Sequence, residues 1–192
     1  MQGELPLRSR AHHNVLIELP GCTVRNWRPS DARAIVKHAN DREVWLQLRD
    51  RFPHPYTQQH ADWFLARACG HEPRSDFAIE VDGEAAGGIG LVIGTDVSSA
   101  TAEVGYWLGR VHWGRGIMSR VLAAVTAQAM GDFGLHRMFA VPFAGNSASA
   151  RVLEKAGYRL EGRMRRSAVK DGRVLDQLMY ACTDEDQPAS CR

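Results

Sequence analysis

Two glycines beside a tryptophan open the most regular helical pattern of the chain. The segment reads Trp113-Gly114-Arg115-Gly116-Ile117-Met118-Ser119-Arg120, and apolar residues then recur at helical spacing as far as Ala129. Between Gly114 and Gly131 there is no aspartate or glutamate. A glycine turn at a helix start presents free backbone N–H groups and the positive end of the helix dipole. The segment therefore predicts a site for phosphate or pyrophosphate, with a plain strand-to-helix turn as the alternative.

Two better-known phosphate-binding motifs are excluded. The pattern G-x-x-x-x-G-K-[ST] does not occur, so the chain has no P-loop. The run Gly88-Ile89-Gly90 lacks the third glycine of the dinucleotide fingerprint, and no helical pattern follows it. The phosphate-bearing ligand must therefore be sought in another class of protein.

Composition limits the classes of protein to which this chain can belong. The chain has 192 residues, of which 44% are hydrophobic and 24% charged, and this predicts one domain with a core at about residues 15–182 and loose termini at 1–12 and 183–192. A net charge of +2 gives no basis for direct nucleic-acid binding. The four cysteines are scattered, so neither a disulfide framework nor a metal site is expected. With no signal-peptide pattern and no apolar run of membrane-spanning length, we expect a cytoplasmic protein that does not bind membranes.

The order of predicted elements indicates an α/β fold. Strands at about residues 15–28, 77–81, 84–93 and 102–108 are interleaved with helices that begin after Pro29 and at Thr57, and the segment between these two helices reads as irregular and aromatic-rich. Asp82-Gly83 and Asp171-Gly172 are typical of two-residue hairpin turns. A short strand, a helix capped by Asn146 and a last hairpin complete the pattern. It predicts a central mixed, mostly antiparallel sheet of six or seven strands, flanked by about four helices.

Two segments resemble the GNAT superfamily of acetyl-CoA-dependent N-acetyltransferases. One is Ala102-Glu103-Val104-Gly105-Tyr106-Trp107-Leu108, which leads into the glycine turn, and the other is Asn146-Ser147-Ala148-Ser149-Ala150-Arg151-Val152-Leu153-Glu154-Lys155-Ala156-Gly157-Tyr158. Together they look most like the branch that contains ribosomal-protein N-terminal acetyltransferases. The resemblance covers about residues 24–181. It implies a single GNAT-like acetyltransferase domain with acetyl-CoA as co-substrate and no metal.

The resemblance also implies where coenzyme A binds. The pyrophosphate would lie on the glycine-turn amides, and the pantetheine arm would pair with the strand just before the turn. The cofactor-binding residues implied in this way are Leu108, Gly109, Arg110, Gly114, Arg115, Gly116, Ile117, Met118, Ser119 and Asn146. Asn146 is equally typical of a plain helix cap. Val111 stands where the superfamily usually has Gln or Arg, and because backbone amides do most of the binding we expect little loss.

Glu103 is the best candidate for the general base. It lies on the strand beside the expected thioester, and its neighbour on the same face, Gly105, leaves room for an acceptor. The alternative is a strand carboxylate that simply faces solvent. Asp176 and Glu80, on other predicted strands, are alternative bases.

Ser149 is the candidate that donates a proton to the leaving thiolate. Many superfamily members use a tyrosine immediately before the position of Glu154, but that position is Leu153 here, which cannot donate. Ser149 lies on the first turn of the Asn146-capped helix, where a merely exposed polar residue is one alternative. Because a serine hydroxyl is a poor acid, a hydrogen bond to the sulfur without proton transfer is another. Tyr158 is the second choice of proton donor.

The acceptor side is predicted from aromatic residues. Family members build it from the first two helices, their connection and the last hairpin, which here points to Trp45, Phe52 and Tyr56, although such residues are also typical of a core. The predicted reaction transfers acetyl from acetyl-CoA to a primary amine by direct attack in a ternary complex. The favoured acceptor is the α-amine of a protein such as a ribosomal protein. A small amine (amino acid, polyamine or antibiotic), or a non-catalytic CoA-binding regulator, is the alternative, and the chain is expected to be a monomer or homodimer.

Overall fold

The computed structural model describes residues 16–70 and 74–186 of the chain. Within these ranges there are eight β-strands and five α-helices. The strands are β1 (Leu16–Leu19), β2 (Cys22–Asn26), β3 (Asp76–Val81), β4 (Glu84–Ile93), β5 (Thr101–Leu108), β6 (Arg137–Ala140), β7 (Arg159–Lys170) and β8 (Arg173–Thr183). The helices are α1 (Ala32–Ala39), α2 (Arg42–Leu46), α3 (Gln58–Gly70), α4 (Ile117–Phe133) and α5 (Ser147–Lys155).

The strands form one sheet in the order β1-β2-β3-β4-β5-β6-β8-β7. Neighbouring strands are antiparallel except β5 and β6, which are parallel, and this confirms the predicted mixed, mostly antiparallel sheet. Both predicted hairpin turns are present. Asp82-Gly83 and Asp171-Gly172 have positive φ at both residues, as the two-residue turn that matches strand twist requires.

The number of elements differs from the prediction of six or seven strands and about four helices. The opening strand is broken in two at Pro20-Gly21, where Gly21 has a φ of 77°, and this gives the eighth strand. The segment read as irregular contains the one-turn helix α2, because the Asp41 side chain accepts a hydrogen bond from the Glu43 N–H at 2.8 Å and caps its start.

Ordered structure extends slightly beyond the predicted core boundary at residue 182. Thr183 ends β8, and its N–H donates to the Asp186 carboxylate at 3.0 Å across a short 3-10 turn. The rest of the expected loose termini, residues 1–12 and 187–192, lies outside the described residues.

The sheet lies between two helical layers. Helices α4 and α5 pack on one face around Val104, Val121 and Leu122, whereas α1 and α3 pack on the other around Trp27 and Ala78. Because successive side chains of a strand point to opposite faces, β5 contributes to both layers. Its odd-numbered residues from Glu103 to Trp107 face the α1/α3 side, and Val104 and Tyr106 face the α4/α5 side.

Candidate active site

The sheet opens between its two parallel strands. β5 and β6 pair only through Thr101, Ala102 and Glu103, after which β6 ends at Ala140 while β5 continues to Leu108 beside β4. In the part of the chain that the structure describes, no strand pairs with the β6-facing edge of residues 104–108. Because backbone N–H and C=O groups require partners, this edge is open to a ligand that carries amides of its own.

The loop between β5 and α4 forms a cradle of backbone N–H groups. Gly114 and Gly116 are exposed and have φ values of 74° and 71°, in the left-handed region that favours glycine. Among the described residues no side chain caps α4, and its first turn carries no acid. The first N–H groups of the helix are therefore available to an anion. Ile117 and Met118 have buried side chains, so they offer only their backbone here.

The side chains of Trp113, Arg115 and Arg120 hold this loop in place through hydrogen bonds. The Trp113 indole donates to the Leu108 carbonyl at 2.7 Å, and an Arg115 guanidinium nitrogen lies 3.1 Å from Nδ1 of His112. Arg120 donates to the carbonyls of Pro20 at 3.0 Å and Arg115 at 3.4 Å. Arg115 is thus the exposed cation of the loop, whereas Arg120 ties the loop to the turn between β1 and β2.

His112 can accept a hydrogen bond from Arg115 only when its imidazole is neutral. Burial, and then the neighbouring His38 and Arg115, lower the pKa of His112 below its usual value. A neutral imidazole offers one lone pair, which suits a guanidinium donor. The position of Arg115 therefore depends on an uncharged His112.

The end of β5 also contacts the first helices. A Cβ at Gly109 would lie 2.7 Å from Nδ1 of His38, so a glycine is required for α1 to approach. Nε of Arg110 donates to the Asp41 carboxylate, which also caps α2, at 2.8 Å. These two predicted cofactor-binding residues therefore also join the loop to the segment predicted to bind the acceptor.

Asn146 and Ser149 lie at the start of α5. The Asn146 side chain accepts from the Ser149 N–H at 2.9 Å, which confirms its role as a helix cap. The Ser149 hydroxyl lies 2.8 Å from the hydroxyl of Tyr106 on β5. Burial raises the pKa of Tyr106 to about 12, and the bond to Ser149 offsets part of that rise. Tyr106 is therefore protonated at neutral pH and can donate to Ser149.

Sequence reasoning missed Tyr106 as a functional residue. Its signal was a hydroxyl on the otherwise apolar face of β5, between Val104 and Leu108. The other tyrosine considered, Tyr158, is buried, and its hydroxyl meets Thr126 at 2.8 Å inside the core. Leu153 is also fully buried. The structure therefore brings Tyr106, and not Tyr158, to Ser149.

Glu103 lies on the opposite face of β5, where the gap begins. Its side chain is 23% exposed and forms an ion pair with Arg49 through both carboxylate oxygens. Beside it, a Cβ at Gly105 would find nothing within 4 Å, and Val92 on β4, the cross-strand partner of Glu103, is exposed. Glu103 therefore borders an open surface over Gly105, here called the groove.

The alternative bases are engaged elsewhere. Glu80 accepts from Nε of Arg25 at 2.5 Å, in a cluster that also holds the buried Asp31. Asp176 accepts from the Arg166 N–H at 2.8 Å and from Nε of Arg163 at 2.7 Å, and these bonds lower the pKa of Asp176. Unlike Glu103, neither carboxylate lies on β5, because Glu80 is on β3 and Asp176 is on β8.

The three predicted acceptor-binding aromatic residues occupy different environments. Phe52 packs on Trp107, with ring centroids 5.5 Å apart, on the Glu103 side of β5. The ring centroids of Tyr56 and Phe52 are 4.9 Å apart, but Tyr56 is buried in the α1/α3 core. This burial raises the pKa of the Tyr56 hydroxyl to about 12. The Trp45 ring stacks on the His54 ring, with centroids 5.6 Å apart. Of the three, Phe52 is the one whose ring contacts a residue of β5.

The tip of the β7–β8 hairpin fastens the segment that carries Trp45. Lys170 is buried, with its Nζ 3.7 Å from the centre of the Trp45 ring and 2.7 Å from the Asp50 carboxylate. Arg42 donates to Asp171 at 2.7 Å. The segment predicted to bind the acceptor is thus held by side-chain pairs that are 120 and 129 positions apart in sequence.

Metal ligation and membrane insertion find no support in the ranges 16–70 and 74–186. No group of three or more His, Cys, Asp or Glu residues there could hold a metal ion. No helix in these ranges is both long enough and apolar enough to cross a membrane.

Comparison with known proteins gives matches to acetyltransferases. A family model described as an acetyltransferase (GNAT) domain matches residues 22–159. The uncharacterised N-acetyltransferase YoaA of Bacillus subtilis is 36% identical over 80 residues, which are 42% of this chain and 45% of YoaA. The chain thus spans about half the length of the curated relatives it matches.

Solved structures share the fold at low identity. RimL, a ribosomal L7/L12 alpha-N-protein acetyltransferase in complex with coenzyme A, is 22% identical to this chain. Its TM-score is 0.79, over 90% of this chain and 100% of RimL. The ribosomal-protein-S5-alanine acetyltransferase from Vibrio fischeri is also 22% identical, with a TM-score of 0.76 over 91% of this chain and 100% of that one. Because the family model spans well over half of the sequence and includes both the glycine turn and the Ser149 helix, the chain belongs to the GNAT acetyltransferase family.

Proposed function

We propose that this protein transfers the acetyl group of acetyl-CoA directly to the α-amine of a protein substrate, such as a ribosomal protein. The gap between β5 and β6 carries this proposal, since Glu103 lies on one face of β5 and the Tyr106–Ser149 pair on the other. An acyl donor in the gap would lie between a base and a proton donor, as direct transfer in a ternary complex requires. The names of RimL and the Vibrio fischeri enzyme support a ribosomal protein as the acceptor.

The residues around the gap fit acetyl-CoA. The cradle at Gly114 and Gly116 provides N–H donors and the helix dipole for the pyrophosphate, with contributions from the backbone of Ile117, Met118 and Ser119, and Arg115 adds a cation. The unpaired edge that ends at Leu108 offers amide and carbonyl groups of the kind that pair with the two amides of pantetheine. Acetyl-CoA supplies the activated acyl group as a thioester.

The attacking amine must lose a proton before it can act as a nucleophile. An α-amino group has a pKa near ~7.7–8.0 and a lysine side chain near ~10.4, so the neutral form at pH 7 costs about 1 kcal/mol for the first and about 4–5 kcal/mol for the second. Glu103, or a water molecule that it holds, takes this proton. A single carboxylate base meets the smaller cost of deprotonating an α-amine more readily than the larger cost of deprotonating lysine.

The leaving thiolate must gain a proton. Ser149 delivers its own to the sulfur through a hydrogen bond, and a solvent water then reprotonates Ser149. A hydroxyl has a single hydrogen to donate but can accept two hydrogen bonds. When Tyr106 donates to Ser149 across 2.8 Å, the hydrogen of Ser149 remains available for the sulfur. Tyr106 thus acts as a positioning residue that orients Ser149.

The test is release of free thiol from acetyl-CoA with a panel of amines. The panel contains peptides with ribosomal-protein N-termini, the same peptides with a blocked N-terminus, amino acids, polyamines and aminoglycosides. We expect turnover with the free peptides and none with their blocked forms. Turnover confined to small amines would contradict the proposed acceptor. Tight binding of acetyl-CoA without turnover of any amine would favour a CoA-binding regulator.

We expect this activity to operate in the cytoplasm, where ribosomal proteins are made, by a monomer or homodimer. Sedimentation of the purified protein with and without coenzyme A would determine its oligomeric state.

A further inference from the structure

An arginine from a loop covers the proposed base. The two terminal guanidinium nitrogens of Arg49, Nη1 and Nη2, donate to the two carboxylate oxygens of Glu103 in an end-on pair. Of the described cations, Arg49 is the one that forms an ion pair with Glu103. An acceptor amine therefore cannot approach the carboxylate along this side unless Arg49 gives way.

Arg49 is well suited to move. It lies in the irregular connection between α2 and α3, and its side chain is 48% exposed. Within the described residues, its guanidinium makes no side-chain bond other than the one to Glu103. Solvent-exposed ion pairs contribute little to stability, so opening this pair costs little.

Opening the pair has an electrostatic consequence. If an acceptor ammonium binds Glu103, the Arg49 guanidinium loses the one carboxylate that it contacts among the described residues, while it remains next to the groove. A guanidinium presents a planar fork of donors that matches a carboxylate in two parallel hydrogen bonds. A second carboxylate, carried by the acceptor, would restore that pairing.

We propose that Arg49 selects acceptors that carry a carboxylate close to the reacting amine. The ammonium of the acceptor replaces Arg49 on Glu103, and its carboxylate replaces Glu103 on Arg49, so that one ion pair is exchanged for two. A peptide with Asp or Glu next to its N-terminus has this arrangement of charges, and so does a free amino acid. This specificity rests on the proposed function only in taking Glu103 as the group that meets the amine.

The same geometry disfavours polycations. A polyamine or aminoglycoside would bring further positive charge towards a guanidinium that has just lost its partner, and like charges at short range repel. Arg49 is therefore a specificity-determining residue that acts through attraction of one acceptor class and repulsion of another.

Pairs of acceptors that differ by a single carboxylate, here called twins, test this specificity. One peptide pair has Ala-Asp or Ala-Asn at its N-terminus and is otherwise identical, and a second pair is serine and serinamide. Each is assayed by thiol release with the parent protein, with Arg49→Gln and with Arg137→Gln. The last is a matched control, because Arg137 forms a comparable two-nitrogen pair with Glu161 at the far end of β6.

We expect the parent and Arg137→Gln to prefer the acidic twin by about tenfold in kcat/KM, the effect of one charge-assisted contact. Arg49→Gln should lose this preference, mainly through a higher KM for the acidic twin, and its affinity for acetyl-CoA should not change. Equal kcat/KM for the twins in the parent protein would overturn the inference. So would an equal loss on both twins in Arg49→Gln, because that would indicate a merely structural role.

Calorimetry separates failure of this inference from failure of the proposed function. The same twins are titrated into protein saturated with coenzyme A, which requires no turnover. If no amine is acetylated but the acidic twin binds more tightly and Arg49→Gln removes the difference, the proposed reaction fails and the specificity stands. Equal binding of the twins, or no binding of either, overturns the specificity.

Discussion

The proposed donor side and the proposed acceptor side of the gap are built in different ways. The donor side consists of backbone groups supplied by neighbouring residues, namely the edge of β5, the loop with Gly114 and Gly116, and the first turn of α4. The acceptor side consists of side-chain pairs between distant segments, such as Arg49 with Glu103 and Lys170 with Asp50. Substitutions on the surface should therefore alter acceptor choice far more readily than they alter donor binding.

The largest effect that would separate the two sides is expected at Glu103. Glu103→Gln should lower kcat by at least about 100-fold, because loss of a general base costs that much or more, while acetyl-CoA affinity stays at the parent value. Thiol release and calorimetry measure the two quantities. Glu161→Gln is the control, since Glu161 is also a strand carboxylate paired with an arginine. Near-parent activity in Glu103→Gln would contradict its role as the base.

Binding of the acetyl donor can be tested with two glycines of similar conformation at opposite ends of one helix. Gly116 and Gly134 flank α4, and both have left-handed φ values, 71° and 63°. Each change to alanine should lower the free energy of unfolding by about 1 kcal/mol, because a Cβ disfavours that conformation. Gly116→Ala alone should also weaken acetyl-CoA binding, by about tenfold in Kd. Equal effects of both changes on binding would show that the anion cradle is elsewhere.

Ser149 and Tyr106 test whether the proton donor works as a pair. Ser149→Ala and Tyr106→Phe should each lower kcat by about tenfold, the scale of one hydrogen bond, and the double variant should be little worse than either. Because burial raises the pKa of Tyr106 to about 12, Tyr106 stays protonated and the loss should be constant between about pH 6 and pH 9. Additive losses, or a loss that changes across this pH range, would contradict the pairing.

The smallest effect is expected where the hairpin meets the acceptor side. Asp50→Ala should lower the free energy of unfolding by about 1 kcal/mol, because it leaves the buried ammonium of Lys170 without its carboxylate. Lys170→Met removes that charge altogether and should cost less, although it loses the contact with Trp45. Urea unfolding of the two variants measures the difference. A larger loss for Lys170→Met would mean that the contact with the Trp45 ring outweighs the ion pair.

The sequence was most informative where the structure is local. The glycine turn, the Asn146 cap and the two Asp-Gly hairpin turns depend on residues a few positions apart, and each has the predicted conformation. The strand number was underestimated, because the segments on either side of the Pro20-Gly21 turn were counted as one strand. Short strands at the edge of a sheet carry little periodicity of their own.

The sequence was least informative where contacts join distant positions. Arg49 lies 54 positions from Glu103, and nothing in its neighbourhood distinguishes it from the other arginines. Tyr106 could have been singled out by its hydroxyl on an apolar strand face, but its bond to Ser149 depends on how α5 packs against β5. Tyr56 was grouped with Phe52 by residue type, and its burial follows from tertiary packing.

The bond between the Trp113 indole and the Leu108 carbonyl gives the protein an optical reporter of its own. If pantetheine pairs with the end of β5, its amide N–H competes with the indole for that carbonyl. The indole would then leave a 2.7 Å hydrogen bond for a more solvated position, and indole emission responds to such a change. Coenzyme A should therefore alter the tryptophan fluorescence of the parent protein. Most of that change should disappear in Trp113→Phe, although four other tryptophans remain.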